Sequence, residues 1–150
     1  MIEICRASKD DIEDLMDIRL EMLRIVNSIP DDVPFDEKLI ECSRGYFLSG
    51  DQTTVFAKDG DKIVGCASIS YVTVMPTYDH PTGKRAHLMN VYVKKEYRRK
   101  KIADKMCSVL IAEAKSKGVT EISLDSTDAG RPLYASLGFS QNDAGMILSL

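Results

Sequence analysis

The sequence NVYVKKEYRRKKIADKM, residues 90–106, joins three local patterns. Its first residues end an alternating run that predicts a strand over about 85–93, with His87, Met89, Val91 and Val93 on one side. From Ile102 the apolar residues recur at helical spacing. Between them, residues 94–101 hold six basic side chains and one acidic one, a net charge of +5. The sequence therefore predicts a basic turn that ends a strand and opens a helix.

This position favours an anionic ligand. The first N–H groups of a helix have no internal acceptor, and the helix dipole places partial positive charge there, so such a terminus binds phosphate. Four cations at 98–101 would ordinarily disfavour that terminus by up to about 1 kcal/mol, which an anion would offset. On the residues alone, a solvated basic loop and a nucleic-acid patch remain alternatives.

The overall charge favours a small ligand over a nucleic acid. The chain has a formal net charge of −3, so the residues outside the basic turn carry −8. General nucleic-acid-binding proteins usually have a broader basic surface, and we expect no nucleic-acid partner.

Size and composition indicate one globular domain over residues 1–150, since 44% of residues are hydrophobic. No apolar run reaches the length of a membrane span, and the first residues lack the features of a signal peptide, so we expect a cytoplasmic protein with no membrane partner. Four cysteines are scattered without zinc-ligand spacing, which predicts reduced thiols and no metal: Cys5, Cys42, Cys66 and Cys107.

The remaining patterns give the order β-α-α-β-β-β-turn-α-β-α-β, a mixed α/β (α+β) fold. Ser8 and Asp11 resemble a capping box before a first helix, on which Arg19 and Asp17 are assigned to the polar side. Asp59-Gly60-Asp61 predicts a tight hairpin turn, and residues 85–125 predict a parallel crossover. The other predicted elements are a strand at 2–6, a second helix at 36–48, a short helix capped by Asp128, and one or two closing strands after residue 138.

Two motifs together resemble the GNAT superfamily of N-acetyltransferases. Residues 90–106 resemble its motif A, with Arg98 at the first and Ala103 at the last position of the turn. AGRPLYASLGF, residues 129–139, resembles its C-terminal motif, a short helix with a tyrosine followed by Gly-Phe. Lys101 departs from the pattern, because it occupies the central glycine position. The resemblance implies a mixed central sheet of about six to seven strands flanked by about four helices.

The resemblance also implies acetyl-coenzyme A as co-substrate, with its diphosphate at the basic turn and its pantetheine arm beside the preceding strand. Val91 is the best single candidate for the N–H that binds the thioester oxygen. The implied cofactor-binding residues are Val91, Tyr92, Val93, Arg98, Arg99, Lys100, Lys101, Ile102, Ala103 and Asp104. Lysine at position 101 would cost about 1–2 kcal/mol if a positive φ is required there, and nothing if the backbone is helical.

The implied reaction moves an acetyl group to a primary amine of a small molecule or peptide. Tyr134 matches the position of the family's general acid. No general base is evident: His87 is interpreted as a half-buried structural residue, while His80 and Ser126 are candidates for contact with the substrate. Acidic residues in the implied acceptor region would attract an amine, although a solvated acidic loop explains them equally well: Asp31, Asp32, Asp36, Glu37 and Asp79.

Two other functions fit the sequence. A non-catalytic acyl-coenzyme A-binding module is consistent with the lysine at position 101, and a nucleic-acid-binding domain would use residues 94–101. The family resemblance also makes a homodimer possible.

Overall fold

The computed structural model describes residues 1–150 as a mixed five-stranded sheet with helices on both faces. The strands lie in sequence order: β1 (Ile2–Arg6), β2 (Gln52–Asp59), β3 (Lys62–Thr73), β4 (Lys84–Val93) and β5 (Glu121–Ser123). The helices are α1 (Ile12–Val26), α2 (Glu37–Ser49), α3 (Ile102–Ser116) and α4 (Arg131–Ser136). None of the four helices has the length and hydropathy of a membrane-spanning segment.

The pairing follows from the connections. Strands β1 to β4 are antiparallel, and Gly60 supplies the positive φ of 61° at the β2–β3 turn. Strand β5 pairs parallel to β4, because α3 carries the chain back across the sheet. The predicted hairpin and crossover are therefore confirmed.

Two apolar clusters fill the two faces of the sheet. On one face, α3 packs Met106 and Leu110 against a cluster that includes Ile69 and Leu88. On the other face, α1 and α2 pack Leu15 and Phe47 among the second cluster. The faces are called here the α3 face and the α1–α2 face.

A bulge at Asn90 changes which side chains of β4 share a face. Ser68 pairs with Met89 but Cys66 pairs with Tyr92, so β4 holds one extra residue, and Asn90 has a φ of 58°. Leu88 and, beyond the bulge, Val91 therefore both pack on the α3 face. The predicted alternation that put His87, Met89, Val91 and Val93 on one side was wrong, because the bulge reverses it.

The ends of two helices agree with the sequence. The Ser8 N–H donates to Asp11 Oδ2 at 2.7 Å, as expected for the capping-box pattern, although a 3₁₀ turn at Lys9–Asp11 precedes α1. Gly118, with a φ of 81°, follows α3, and the Val119 N–H donates to the Ala114 carbonyl at 3.1 Å in a Schellman arrangement.

Two predictions in the last third of the chain were wrong. Gly130, not Asp128, is the N-cap of α4, and Asp128 instead pairs with Arg131 at 3.6 Å. The predicted closing strands are absent, and the sheet has five strands rather than six or seven. Residues 139–150 have no ladder partner, and the apolar side chains from Met146 onward, such as Ile147, are almost fully exposed.

Candidate active site

The basic turn is held against the sheet by three contacts. The Lys94 N–H donates to the Val64 carbonyl at 2.8 Å, and Arg98 Nε donates to the Val93 carbonyl at 3.0 Å. The Tyr97 hydroxyl donates to Asp59 Oδ2 at 2.8 Å, which joins the turn to the β2–β3 hairpin. The turn is thus fixed at the carboxyl end of β4.

Six consecutive main-chain N–H groups, from Arg99 to Asp104, have no acceptor within the chain. Those of residues 102–104 belong to the first turn of α3, where no acceptor exists in the helix itself. Together they form a row of donors beside the positive end of the α3 dipole. Such a row suits the oxygens of a diphosphate.

The backbone of this row is left-handed at two non-glycine residues. Lys101, the N-cap of α3, has φ 59° and ψ 25°, and Arg99 has a φ of 63°. This conformation costs an L-residue about 1–2 kcal/mol. Position 101 therefore has the positive φ at which a lysine is strained, whereas a glycine would adopt it without strain.

The cations of the turn are mostly uncompensated. Lys94 pairs with Glu21 at 3.3 Å, whereas Arg98, Arg99, Lys100 and Lys101 are exposed and have no carboxylate partner. Lys100 lies over the Tyr97 ring, at 5.3 Å from its centroid. Four free positive charges therefore surround the row of N–H donors.

Strands β4 and β5 separate after their last pair, His87 with Ser123, and the gap between them is called here the fork. Strands β4 and β5 pair only over Arg85–His87 and Glu121–Ser123, after which the six remaining residues of β4 have no partner on the β5 side. The Lys94 N–H bonds β3, and antiparallel bonding alternates, so the N–H groups of Val91 and Val93 point away from β3. Tyr92 points its N–H toward β3 instead. The free edge of the fork thus offers donors to an extended ligand.

Tyr134 lies on the α3 side of the fork. Its ring packs against the main cluster and meets Phe139 edge-on at 6.0 Å, and its hydroxyl has no partner within the chain. Burial, with a smaller effect of Cys107, raises the pKa of Tyr134 to about 12. Gly130 lies between Ser126 and Tyr134. A Cβ atom placed on Gly130 would be 3.5 Å from Ser126 Oγ and 3.1 Å from the Tyr134 ring, so these two side chains are close together.

His87 lies at the last β4–β5 pair, on the α1–α2 face of the fork. Its Nδ1 is 2.8 Å from Ser123 Oγ, its Nε2 is 3.8 Å from Asp125 Oδ2, and 34% of its side chain is exposed. Ser123 Oγ is also 3.5 Å from the Ala86 carbonyl, to which the hydroxyl donates. When the hydroxyl donates to that carbonyl, its oxygen accepts the Nδ1 proton of His87, and the ring's lone pair is then on Nε2.

His80 is separated from this group. Its Nδ1 is 2.8 Å from Thr120 Oγ1 and its Nε2 is 3.1 Å from Glu121 Oε2, at the amino ends of β4 and β5. The basic turn lies at the other end of β4. Among the acidic candidates, Asp36 accepts the Lys38 N–H at 2.8 Å as the N-cap of α2.

Arg19 and Asn90 join α1 to the bulge, and the sequence interpretation missed both. Arg19 Nη1 donates to Asn90 Oδ1 at 3.1 Å, and Asn90 Nδ2 donates to Ser68 Oγ at 3.2 Å. The assignment of Arg19 to the polar side was wrong, because it lies one turn from Leu15 and Met16 along the inner stripe of α1. Helical spacing predicts that place, and an asparagine inside an apolar strand is a signal for a bulge.

A separate cavity of about 440 Å³ lies beside β1 and β2, between Arg6, Phe47 and Thr54. It is two strands away from the fork, and none of the candidate site residues lines it.

The comparisons with known proteins agree with this geometry. A profile of the acetyltransferase (GNAT) family matches residues 12–139. A crystal structure of a predicted acetyltransferase with acetyl-CoA from Clostridium acetobutylicum has a TM-score of 0.86 and 28% identity, covering 99% of this chain and 96% of that one. No curated protein sequence is significantly similar to the chain.

Two further structures share the fold. A GCN5-related N-acetyltransferase from Ralstonia eutropha has a TM-score of 0.83 at 21% identity, covering 100% of this chain and 99% of that one. An aminoglycoside acetyltransferase from an uncultured soil metagenomic sample, in complex with sisomicin, has a TM-score of 0.76 at 14% identity, covering 99% and 96%. With most of its length matched by the family profile, the chain belongs to the acetyltransferase (GNAT) family and is an acyltransferase.

Proposed function

We propose that the protein transfers an acetyl group from acetyl-coenzyme A to a primary amine of a small molecule or peptide, by direct attack of the amine on the thioester. One observation carries the proposal: six unpaired N–H groups and four unpaired cations meet at the foot of the fork between β4 and β5. A diphosphate at this point would direct the rest of the nucleotide thioester along the open edge of β4.

The binding part of the proposal assigns the diphosphate to the N–H groups of residues 99–104. Arg98, Arg99, Lys100 and Lys101 would add charge-assisted contacts, which are stronger than those between neutral groups. The left-handed backbone at Lys101 supports this assignment, because it turns successive N–H groups toward one side. The Val93 N–H would pair with the pantetheine arm like an added strand, which leaves the Val91 N–H for the thioester oxygen.

The acceptor must lose a proton before it attacks, since an alkylammonium is not a nucleophile at neutral pH. We assign this proton to His87 Nε2, whose lone pair is free when Ser123 accepts the Nδ1 proton. Asp125 would stabilise the imidazolium that results, at 3.8 Å. His87 thereby gains a role beyond the structural one that its sequence position indicated.

The remaining groups act on the thioester. The Val91 N–H would donate to the oxygen on which negative charge develops. Attack forms the carbon–nitrogen bond and breaks the carbon–sulfur bond, and the sulfur leaves as a thiolate. The Tyr134 hydroxyl would donate its hydrogen to that sulfur, and its raised pKa keeps it protonated until then. The tyrosinate would then take the remaining extra proton of the acylated nitrogen, which gives the neutral amide and restores the hydroxyl. Ser126, beside Tyr134, remains a candidate for contact with the substrate, whereas His80 has both nitrogens engaged elsewhere.

Two measurements test the proposal. Calorimetry with acetyl-coenzyme A, in parallel with short DNA and RNA, should give micromolar binding to the thioester and none to the oligonucleotides. Release of free thiol should then be followed over a panel of primary amines. Tight binding with no release for any amine would favour the non-catalytic binding module, and binding to the oligonucleotides alone would contradict both.

A further inference from the structure

Arg19 carries a charge that the protein does not compensate. Its half-buried guanidinium donates one hydrogen bond, to Asn90 Oδ1, and touches Met22 Sδ at 4.0 Å, but it pairs with no carboxylate. Burial lowers the pKa of Arg19, as expected for a cation withdrawn from water without a counter-ion. Arg85, which is also partly buried, pairs with Glu121.

The groups around Arg19 are neutral. The Tyr46 hydroxyl is 2.7 Å from Ser70 Oγ, and burial raises the pKa of the Cys66 thiol to about 12. Two acidic residues of α1 lie two positions from Arg19: Asp17 is exposed and does not pair with Arg19, and Glu21 is already bound by Tyr92 at 2.7 Å and Lys94 at 3.3 Å. The positive charge therefore stays available to a ligand.

The position of Arg19 is as informative as its charge. It bonds the bulge residue Asn90, which directly precedes Val91 on the edge of the fork. His87 lies three residues earlier on β4, about 10 Å along the strand. On the α1–α2 face, the fork thus has a positive charge at one end, from Arg19. At the other end it has a negative charge, from Asp125 next to His87.

We infer that Arg19 binds a carboxylate of the acceptor, so that the substrate is an amine that also carries a carboxylate, such as an amino acid. This inference rests on the proposed function. The guanidinium would make paired, charge-assisted hydrogen bonds to the carboxylate, while the ammonium group lies toward Asp125 and His87. A polycation without a carboxylate, as an aminoglycoside is, would be repelled from the Arg19 end.

The test uses pairs of acceptors that differ only in the carboxylate. A series of ω-amino acids of increasing length is compared with the matching amino amides, and kcat/KM is measured for the parent, Arg19→Lys and Arg19→Gln. In the parent, kcat/KM should be about 10-fold to 100-fold higher for the amino acids than for the amides, which is the ratio expected from one hydrogen bond to a charged group. Arg19→Gln should abolish that preference, because kcat/KM should fall far more for the amino acids than for the amides, and Arg19→Lys should retain part of it.

An equal loss for both series in Arg19→Gln would overturn the inference, since it would mean that Arg19 only supports the bulge. Preferred acetylation of an aminoglycoside would also overturn it. A second readout needs no turnover: calorimetry of the N-acetylated amino acids with coenzyme A present should give binding to the parent and none to folded Arg19→Gln. A protein that does not bind the thioester would exclude the proposed function itself. A protein that binds and turns over the thioester without a preference for carboxylates would exclude only the role assigned to Arg19.

Discussion

Arg19 Nη1 lies 3.1 Å from Asn90 Oδ1, so a residue of α1 is bonded directly to the bulge of β4. Through Asn90 Nδ2 the same contact reaches Ser68 Oγ on β3, at 3.2 Å. The bulge reverses the faces of β4, which brings Val91 and Val93 to the α3 face. The position of the fork edge therefore depends on a polar network that only the folded chain assembles.

Two substitutions of Asn90 should distinguish the energy of its backbone strain from that of its side-chain hydrogen bonds. Asn90→Ala loses both hydrogen bonds and keeps a strained φ, so we expect it to lower the free energy of unfolding by about 2–4 kcal/mol. Asn90→Gly loses the same bonds without the strain and should be about 1 kcal/mol less destabilised. Urea denaturation measures both, and equal values would mean that the left-handed backbone carries no strain.

Lys101→Gly should stabilise the fold. Glycine adopts the φ of 59° freely, and the gain, less the added freedom of the unfolded chain, should be about 0.5–1 kcal/mol. Lys101→Ala is the matched control, because it removes the ammonium group but keeps the strain. Thermal denaturation compares stabilities, and calorimetry with acetyl-coenzyme A should show a similar, modest loss of affinity in both variants. An alanine variant as stable as the glycine variant would contradict the strain.

Tyr134→Phe should lower kcat by about 100-fold or more, because it removes the hydroxyl and keeps the ring against Phe139. The melting temperature should barely change. Since the pKa of Tyr134 is raised to about 12, its ionisation should not limit the rate between pH 6 and 9. A phenylalanine variant with parental kcat would remove the role assigned to the hydroxyl.

His87→Gln should slow the reaction, because it removes the group assigned to accept the proton of the amine. In the variant, kcat/KM should fall about 10²-fold or more, while calorimetry should give the same affinity for acetyl-coenzyme A as in the parent. A variant as fast as the parent would assign the proton to another group.

Glu113 should link stability to pH. Burial opposes its ionisation, but hydrogen bonds from Tyr71 and Thr53, with Lys117 and Arg6 nearby, lower the pKa of Glu113 overall. A lowered folded-state pKa gives stability that is present above the unfolded-state value near 4.5 and is lost as pH falls through the folded-state value. Glu113→Gln should therefore melt at a lower temperature than the parent at pH 7, and the difference should shrink by pH 3. A constant difference would exclude this linkage.

The sequence predicts the order of elements because each of them has a local signal. Asp59-Gly60 marks the hairpin, Gly118 the end of α3, and the switch from alternation to helical spacing at Ile102 marks the basic turn. The number of strands could not be predicted in the same way. Residues 139–150 contain a short apolar run, but a strand also needs a partner for its backbone, which no local pattern supplies.

The candidate site likewise contains residues that local patterns predict and residues that only the fold brings together. Residues 98–104 and Tyr134 lie in contiguous motifs, so the sequence alone identifies them. His87, Ser123 and Asp125 come together only through the parallel pairing of β4 with β5, and Arg19 meets Asn90 across 71 positions of the chain. These contacts depend on pairing over long separations, which spacing along the chain cannot give.

The proposed function depends on the N–H groups of residues 99–104, which would hold the diphosphate of acetyl-coenzyme A. The most direct measurement is a titration of ¹⁵N-labelled protein followed by ¹H–¹⁵N correlation spectra, with pantetheine, which lacks the diphosphate, as the control. Coenzyme A should shift the amide resonances of Arg99 to Asp104 more than those elsewhere, and pantetheine should leave them in place. Saturated binding that leaves these six resonances unmoved would mean that the diphosphate binds elsewhere.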